Sequence, residues 1–535
     1  MIKTYTRVIV RSIILFTAMM VVTYVCQSQN TFLKTLGGVR SDEMHDMIRS
    51  HDGGFIMAGN TESYGQGNFG VTDDYVVKTD SDGNVLWSKT LGLQSYDDIF
   101  WIEPVNDSGY VICGVASDND TSIGILLAKI SESGNILWQK VLEQDHAGIG
   151  YCIRQTSDGG FIVAAEILQL DNLDFLLIKT DENGDVQWSK QVGSPEPDIP
   201  NYIMQTADGG YLACGVSRQN SATIPPYIVK TDSLGNVQWQ KTYNTSPVFS
   251  RSTVRNVIST ADGGYLLAGG NTNNQLFSDI ILLKIDSAGV PQWVKSFGGN
   301  AADEFCGSII QNGNGNFVVC GTSASSETDN FDALVMLIDS EGNLIHSALF
   351  GTTSADDEFV SVLPLDDGGY MLGGNTSSFS QFHFSDFMIM RIDKNFNGPQ
   401  CDTLTPNIFE GNVFLSGTSD VSESAVSVSE NDVIAVIDSG VSDSLRCNVA
   451  TGEELPPPVG NVLSFYPNPA VSDLTFSGNY DKVVRIEVYN ALGIKISSVP
   501  FTNHVNVAEL ADGYYFIRFL SGGGEVLKSI GFVKQ

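Results

Sequence analysis

The stretch DGGFIMAG, which begins at Asp52, places a glycine turn directly before a short apolar strand. The same pattern returns six more times, at spacings of 55, 51, 50, 54, 52 and 53 residues. The further copies are DSGYVICG from Asp107, DGGFIVAA from Asp158, DGGYLACG from Asp208, DGGYLLAG from Asp262, NGNFVVCG from Asn314 and DGGYMLGG from Asp367. Repetition at a nearly constant period indicates that one structural unit is built seven times.

Each unit predicts four short strands. A second pattern follows every glycine turn, and DDYVVKTDSDGNVLWSKTLG from Asp73 is its clearest copy. Apolar residues at successive positions predict strands that are buried on both faces, and the glycine turns suit antiparallel hairpins. Five of the six tryptophans share one slot in the pattern: Trp87, Trp138, Trp188, Trp239 and Trp293. Four strands per unit, repeated in tandem, predict an all-β fold, a seven-bladed β-propeller over residues 29–398.

The two ends of the repeat region predict how the ring closes. The seventh unit ends at RIDKNFNG, from Arg391, without a clear fourth strand. Near the N-terminus, FLKTLGG from Phe32 matches WSKTLGL from Trp87. We therefore expect the N-terminal strand to complete the seventh blade. The alternatives are an open array or a β-solenoid, but an open end would leave an unpaired strand edge.

Residues 1–28 have the layout of a secretory signal peptide. They contain no acid, three basic residues (Lys3, Arg7 and Arg11) and an apolar run over residues 13–25. Such a segment predicts export and cleavage, here after Ser28. Two alternatives stay open, namely a lipoprotein modified at Cys26 and an uncleaved membrane anchor.

Charge and composition exclude several functions. The 535 residues include 29 Lys and Arg against 62 Asp and Glu, a formal net charge of −33. Such a chain repels phosphate backbones, so we expect no nucleic-acid partner. The 6 His show no metal-ligand spacing and no catalytic or phosphate-binding motif is present, so we expect no metal, no cofactor and no enzyme activity. A carboxylate pair for sugar chemistry stays open in so acidic a chain.

The loops predict where a ligand binds. In a four-stranded meander, the first and third turns lie on one face, and the second loops and blade crossovers lie on the other. The turns repeat closely whereas the second loops vary, and variable loops on a rigid scaffold commonly carry binding sites. Unrepeated aromatic and basic residues on this face are the candidate ligand-binding residues: Phe379, Phe382, His383, Phe384, Arg251 and Arg255. The alternative is that these aromatics pack back onto the blade edge.

The crossovers before several units are acidic, as at Asp97 and Asp98 or at Asp356, Asp357 and Glu358. These carboxylates could attract a cation, but their recurrence favours a structural role as acceptors of backbone N–H groups. The DSDGN and DENGD segments are interpreted as hairpin turns and not as calcium loops.

The cysteines are predicted to be mainly structural. Cys113, Cys214 and Cys320 occupy one slot in the second strand, as small core residues do. A disulfide between Cys306 and Cys320 and another between Cys401 and Cys447 are candidates in an oxidising compartment.

The C-terminal part of the chain changes in style. Residues 399–460 are rich in Ser, Asp, Val and Thr, and end in a triple-proline hinge at Pro456–Pro458. We expect a loosely structured connector with two strands. Alternating strands and glycine turns in residues 461–535 predict a small β-sandwich of about seven strands.

This last segment resembles the type A C-terminal sorting domain of the type IX secretion system of Bacteroidetes. The matching residues are Tyr466, Pro467, Asn468 and Pro469, Leu474, Ile486 to Tyr489, Gly493, Leu510, Gly513, Tyr514, Tyr515 and Phe516, and Lys534. The resemblance implies passage through the type IX machinery and removal of the domain by a sortase-like protease. It also implies release, or attachment to surface lipopolysaccharide. The repeats resemble uncharacterised bacterial propeller repeats, which implies a fold and no defined activity.

Together these features predict a secreted, surface-associated propeller that binds an extracellular glycan, peptide or protein. One alternative is a secreted polysaccharide lyase or hydrolase on the same scaffold. Another is a structural or adhesive surface protein.

Overall fold

The computed structural model describes most of the repeat region and parts of the C-terminal region. The described residues are 31–64, 72–92, 96–118, 122–143, 148–169, 172–194, 197–218, 224–245, 249–273, 278–298, 303–324, 330–352, 355–380, 384–399, 403–404, 409–412, 415–416, 422–425, 429–431, 435–438, 443–448, 464–466, 473–477, 483–490, 495–502, 504–508, 510–511, 513–522 and 526–534. The predicted signal peptide, residues 1–28, lies outside them.

Seven antiparallel sheets, each built around four strands, form propeller-like blades in the repeat region. Blade 1 is Asp42–Arg49, Phe55–Thr61, Asp73–Thr79 and Val85–Gly92; blade 2 is Asp98–Val105, Gly109–Asp118, Ser122–Ser131 and Ile136–Glu143; blade 3 is Gly148–Gln155, Phe161–Gln169, Asn172–Thr180 and Val186–Gly193; blade 4 is Asp198–Gln205, Tyr211–Ser217, Pro226–Thr231 and Val237–Thr242; blade 5 is Phe249–Ser259, Tyr265–Asn273, Ser278–Ile285 and Pro291–Gly298; blade 6 is Glu304–Gln311, Phe317–Ser323, Asp332–Ile338 and Leu344–Phe350; blade 7 is Asp357–Pro364, Tyr370–Thr376, Asp386–Ile392 and Phe32–Leu36.

Strand Phe32–Leu36 takes the fourth position of blade 7. It runs antiparallel to Asp386–Ile392, with Phe32 opposite Arg391 and Leu36 opposite Phe387. The strand pairing predicted for the N-terminal segment is therefore present. The first strand of each blade contacts the first strand of the next, and that of blade 7 contacts that of blade 1.

The cores lie between neighbouring blades. Second and third strands are buried almost throughout, as the uniform burial of Phe55–Thr61 and Asp73–Thr79 shows. Val111 and Cys113 of blade 2, for example, pack in one cluster with Phe161 and Val163 of blade 3. Burial on both faces explains why these strands lack polar alternation.

The repeated tryptophan packs on the next blade. A Cβ atom added to Gly235 of blade 4 would lie 2.7 Å from the ring of Trp188 in blade 3. Gly235 has a φ of 79°, so the turn also needs the left-handed backbone that glycine adopts easily. Phe32 takes the same role for blade 1, because its ring lies 2.9 Å from the corresponding position on Gly83.

The repeated aspartate of the glycine turn holds a buried lysine. Lys230 is 3% exposed, and its Nζ lies 2.8 Å from Oδ2 of Asp208. The same pair recurs as Lys78–Asp52, Lys129–Asp107, Lys179–Asp158 and Lys284–Asp262. A buried ammonium needs such a partner, so in these five blades the aspartate of the turn has a structural role.

Seven short strands lie between residues 403 and 448, and six of them add to the outer edge of a blade. We call them the strap; they are Thr403–Leu404, Phe409–Asn412, Leu415–Ser416, Ser422–Ala425, Ser429–Asn431, Ala435–Asp438 and Asp443–Asn448. In chain order they pair antiparallel with blades 6 and 5, with the short strand Asn244–Thr245 that follows blade 4, and then with blades 3, 2, 1 and 7. Asn244–Thr245 and Leu415–Ser416 form a separate two-stranded sheet. The sequence predicts a loosely structured connector with two strands here, and the structure instead has this outer layer.

The structure differs from the sequence prediction on one disulfide. Cys306 and Cys320 are free and buried. A bulge sets Cys306 opposite Gly321 and Cys320 opposite Ser308, and the two thiols join different hydrophobic clusters. Their side chains therefore leave the blade on opposite faces. Cys401 lies outside the described residues, as does the side chain of Cys447.

The C-terminal unit, residues 450–535, is compact by itself. Its strands are Ser464–Tyr466, Asp473–Ser477, Arg485–Asn490, Lys495–Pro500, His504–Asn506, Gly513–Leu520 and Val526–Lys534, in one three-stranded and one four-stranded antiparallel sheet. Val505 of the smaller sheet shares a hydrophobic cluster with Ile486, Ile517 and Phe519 of the larger one. Across the parts of the chain that the structure describes, there is no helix long and apolar enough to cross a membrane.

Candidate functional site

The first strand of every blade carries a register shift at the same place. The strand register skips one residue there in each blade, and this residue has no direct partner on the second strand. The seven skipped residues are His45, Phe100, Tyr151, Asn201, Arg255, Gly307 and Val360. All seven are different residues, whereas the glycine turns and the Lys–Asp pairs recur in several blades. The register-shift position is therefore not held to one residue type by the blade.

Three of these residues form the centre of a polar and aromatic group that we call the inner cluster. It comprises Glu43 and His45 of blade 1, Asp98 and Phe100 of blade 2, and Tyr151 and Glu166 of blade 3. The His45 and Phe100 rings have centroids 5.3 Å apart, and the Phe100 and Tyr151 rings 5.6 Å. Three neighbouring blades thus present a continuous row of rings.

Carboxylates surround His45. Its Nε2 lies 3.1 Å from Oδ1 of Asp98. Burial lowers the pKa of His45, but the hydrogen bond and charge of Asp98, with the charges of Glu43 and Glu358, outweigh burial and raise the pKa. Burial also raises the pKa of Glu43, partly opposed by His45 and reinforced by Glu358 and Asp98.

Two tyrosines complete the hydrogen bonding around the cluster. Tyr96 donates to Oδ2 of Asp98 at 3.2 Å, and Tyr151 donates to Oε2 of Glu166 at 2.8 Å. Burial and the Asp98 charge raise the pKa of Tyr96 to about 12, and burial with the Glu166 charge raises that of Tyr151. Both phenols stay protonated donors at physiological pH.

A cavity of about 350 Å³ lies between blades 6 and 7 on the face of the second loops and crossovers. Its lining residues are Phe305, Thr322, Phe331, Asp356, Asp357, Glu358, Asn375, Thr376, Ser377 and Ser385. The Phe305 and Phe331 rings are 5.8 Å apart at 52°, and Phe305 is 39% exposed. Apolar rings beside polar groups are typical of ligand pockets.

Glu358 and Asn375 connect this cavity to the inner cluster. Nδ2 of Asn375 donates to Oε1 of Glu358 at 2.8 Å and to the backbone oxygen of Met44 at 3.0 Å. The Asn375 Oδ1 accepts from the Met44 N–H at 2.7 Å. Glu358 also acts electrostatically on His45 and Glu43. Blades 6, 7, 1, 2 and 3 therefore share one polar and aromatic arc.

Among the predicted ligand-binding residues that the structure describes, Phe384 and Phe379 lie near this cavity and Arg255 lies on blade 5. Phe384 is 50% exposed and precedes Ser385, which lines the cavity, whereas Phe379 packs partly buried against the core of blades 6 and 7. Arg255 is exposed at the register-shift position of blade 5. Arg251 lies on the strand Phe249–Ser259, with its side chain outside the described part. Phe382 and His383 also lie outside the described residues.

Sequence reasoning missed His45, Phe100, Tyr151 and the Phe305–Phe331 pair. It searched the loops and crossovers, whereas His45, Phe100, Tyr151 and Phe305 lie on first strands. Phe331 lies in the second loop of blade 6. An alignment of the seven first strands would have shown that His45, Phe100, Tyr151 and Arg255 share one column. Arg255 was found because the neighbouring crossover lacks acids, although it belongs to that same column.

The acidic crossovers have a structural role. Asp42 accepts from the Gly38 N–H at 2.7 Å, Asp303 from the Ser278 N–H at 2.7 Å, and Asp356 from the Phe331 N–H at 2.9 Å. Among the residues that the structure describes, no group of three or more His, Cys, Asp and Glu side chains is arranged to hold a metal ion.

The sorting residues are placed in part. Tyr466 lies on the strand Ser464–Tyr466, and Gly513, Tyr514 and Tyr515 lie on Gly513–Leu520. Gly513 pairs with Lys534, which is buried, and the hydroxyl of Tyr515 donates to the Ala511 oxygen at 2.9 Å. Pro467, Asn468, Pro469 and Gly493 lie outside the described residues.

The family comparison identifies the C-terminal segment. Residues 464–532 match the secretion system C-terminal sorting domain. The chain therefore carries the sorting tail of a type IX substrate: it interacts with the type IX machinery and is exported to the cell surface or beyond. A comparison with curated proteins finds no significant sequence match.

Solved structures with related architecture share little sequence with the chain. PorZ, a surface component of the type IX secretion system of Porphyromonas gingivalis, is 11% identical with a TM-score of 0.40, over 92% of this chain and 59% of PorZ. A GH43 β-1,3-galactosidase is 11% identical with a TM-score of 0.29, over 71% of this chain and 94% of its own. A mannose phosphorylase from Leishmania mexicana is 9% identical with a TM-score of 0.28, over 70% and 91%. The chain thus spans less than two thirds of PorZ, and we draw no functional conclusion from these similarities.

Proposed function

We propose that this exported protein is a binding protein and not an enzyme, and that it holds an extracellular glycan or peptide at the mouth of a closed seven-bladed ring. One observation carries the proposal. The residue at the register shift differs in all seven blades, while turns, tryptophans and Lys–Asp pairs repeat. A binding site that recognises one ligand must be built from such unrepeated positions.

The chemistry of the inner cluster supports this role. Phe100 and Tyr151 supply aromatic faces that stack on sugar rings or apolar side chains. Glu166, Asp98 and His45 supply acceptors and a donor beside those faces. A row of rings edged by polar groups suits an extended ligand that crosses several blades.

An array experiment tests the proposed binding. The mature full-length protein is applied to glycan and peptide arrays, alongside a Phe100→Ala, Tyr151→Ala double variant. We expect ligands retained by the wild type to be lost in the variant, because truncating anchor residues typically costs ~2 kcal/mol or more. Leu137→Ala is the matched control, since Leu137 is an exposed apolar residue, at 58%, outside the arc. Equal binding by wild type and double variant would contradict the proposal.

The closed ring is supported by contacts between blades 1 and 7. Ser361 of blade 7 donates to Oδ1 of Asp46 in blade 1 at 2.9 Å, and Asn375 binds the backbone of Met44. The strand Phe32–Leu36 supplies the fourth strand of blade 7. Likewise, the cluster shared by the two C-terminal sheets supports a small sandwich.

The sorting tail supports a proposal on delivery. A sortase-like protease removes the C-terminal domain, and the propeller is released or attached to surface lipopolysaccharide. Deletion of residues 462–535 should leave the propeller folded but retained in the periplasm. Cell fractionation with surface proteolysis checks this, and normal surface display of the truncated chain would contradict it.

A secreted polysaccharide hydrolase is a second candidate, favoured by Glu43. Burial raises the pKa of this carboxyl group, Glu358 and Asp98 add to the rise, and a general acid needs such a raised pKa. Release of reducing sugar from neutral polysaccharides by the wild type, lost in Glu43→Gln, would favour this candidate over simple binding.

A further inference from the structure

We propose that the cavity between blades 6 and 7 binds a cationic group, such as the guanidinium or ammonium of an arginine or lysine side chain in a peptide ligand. This inference rests on the proposed function and names the ligand chemistry of one part of the arc. It concerns Phe305, Phe331, Asp356 and Glu358.

The charge of the cavity has one sign. Its lining residues, among those the structure describes, include three carboxylates and no basic side chain. Asp357 is 1% exposed and bound by hydroxyl groups, so it belongs to the blade. Asp356 and Glu358 are exposed and each uses one oxygen in a protein hydrogen bond, at 2.9 Å and 2.8 Å. Each has a second oxygen that can receive a donor from a ligand.

The aromatic pair adds a second attraction for a cation. The rings of Phe305 and Phe331 stand 5.8 Å apart at 52°, at the wall of the cavity. An aromatic face attracts a cation because its quadrupole is negative. Aromatic rings next to carboxylates therefore bind ammonium and guanidinium groups better than neutral polar groups.

The remaining lining groups agree with this occupant. Thr322, Ser377 and Ser385 contribute small polar side chains or backbone, and the volume of about 350 Å³ admits a long side chain with part of its backbone. The net charge of −33 creates a field that concentrates basic ligands near the whole molecule. An acidic polysaccharide would meet repulsion in the same field.

Calorimetric titration with two matched peptides tests the charge requirement. The probes are tetra-arginine and tetra-citrulline amides, because citrulline keeps the shape of arginine without its charge. We expect the arginine peptide to bind the mature full-length protein about tenfold more tightly or better, since one charged contact of this kind contributes on the order of 1–2 kcal/mol. Raising the salt concentration should weaken the binding.

Substitutions distinguish binding in this cavity from attraction by the overall negative charge of the protein. Glu358→Gln and Phe305→Ala should each weaken the binding of the arginine peptide about fivefold or more. Glu341→Gln removes the same charge from an exposed turn on the opposite face, and should leave the affinity unchanged. Thermal unfolding of each variant confirms that the fold is retained. Equal binding of both peptides, or an equal loss in Glu341→Gln, would overturn the inference.

Failure here is distinguishable from failure of the proposed function. The arrays could identify neutral ligands whose binding depends on Tyr151 and Phe100 but not on Glu358 or Phe305. This result would support the proposed binding function and contradict the cationic site.

A second, independent observation concerns the strap. We infer that residues 403–448 act as a clasp that holds the N-terminal strand in place. That strand is paired on both sides, since Phe32 lies opposite Arg391 on one edge and opposite Asn448 on the other. Without the strap, Phe32–Leu36 would be an edge strand held by one neighbour.

The path of the strap explains how it stabilises the blades. It starts on blade 6, passes each blade in reverse order and finishes on blade 7. Six blades therefore gain a fifth strand at the outer edge, and next to blade 4 the strap pairs with Asn244–Thr245. In those six blades the fourth strand gains a partner, which removes an unpaired edge of the kind that promotes aggregation.

Hydrogen exchange on the full-length chain tests the clasp. We expect slow exchange for the paired amides of Ala435–Asp438 and Asp443–Asn448, comparable with the outer blade strands. Leu445→Pro removes one N–H and should speed exchange in Phe32–Leu36 by about tenfold or more, whereas Leu445→Ala should not. Fast exchange of the strap in the wild type, or no change at Phe32–Leu36 in the proline variant, would overturn this inference.

Discussion

The two faces of the propeller use the same residue types for opposite purposes. On the turn face, which carries the glycine turns, an aspartate holds a buried lysine in five of the seven blades, as Asp208 holds Lys230. On the loop face, which carries the second loops and crossovers, Glu43 and Glu358 act on His45 and do not recur in every blade. Repetition therefore marks what the fold requires, and departure from repetition marks what a ligand can use.

The largest expected effect comes from a substitution on the turn face that removes the partner of a buried lysine. Asp208→Ala should lower the free energy of unfolding by ~3 kcal/mol, because it leaves the Lys230 ammonium buried with only neutral partners. Glu358→Gln on the loop face should change it by less than ~1 kcal/mol, because Glu358 is exposed. Denaturant unfolding of both variants measures the difference. A similar loss in the two would contradict the division between faces.

A pair of glycines sharpens the same comparison within the turn face. Gly235 and Gly209 have φ values of 79° and 81°, but only Gly235 lies against a tryptophan; nothing stands within 4 Å of a Cβ on Gly209. Gly209→Ala should cost ~1 kcal/mol for the backbone conformation alone. Gly235→Ala should cost ~2 kcal/mol or more, because its methyl group also displaces Trp188. Equal losses would show that the tryptophan contact does not contribute.

The smallest expected effect is a pH dependence that differs in sign between the faces. Partial burial acts to raise the pKa of Asp208, but its hydrogen bond from Lys230 and other donors lower it to about 2. Burial raises the pKa of Asp198 and of Asp357 on the loop face to about 6. A lowered carboxyl pKa stabilises the fold above pH ~4, and this stability is lost as the pH falls toward 2. A raised one makes the fold more stable as the pH falls from ~6 to ~4.

Thermal unfolding between pH 2 and pH 7 checks this expectation. The melting temperature should be highest near pH ~4 to ~5 and fall on both sides. Asp208→Asn should reduce the fall in melting temperature on the acid side of the maximum. Asp357→Asn should reduce the fall on the neutral side. A melting temperature that rises steadily from pH 2 to pH 7 would contradict the assignment for the loop face.

Much of this architecture could be predicted because the repeats carry it locally. The glycine turn at Asp52, the tryptophan slot at Trp87 and the match of Phe32 to that slot all lie in short stretches of sequence. Each encodes a turn, a strand or a packing contact that recurs. The strap could not be predicted, because its strands are as short as Thr403–Leu404 and have no hydrophobic period. Their structure comes from pairing with blades that precede them by many residues.

The sequence by itself determined the seven units, the strand order within each unit, the completing role of Phe32–Leu36 and the sorting tail at residues 464–532. These depend on local patterns, and local patterns survive without knowledge of the fold. Only the tertiary structure brought His45, Phe100 and Tyr151 into one row, because they are about 50 residues apart and meet only through the packing of three blades. It also determined that Cys306 and Cys320 form no disulfide, because one extra residue in a strand places the two thiols on opposite faces.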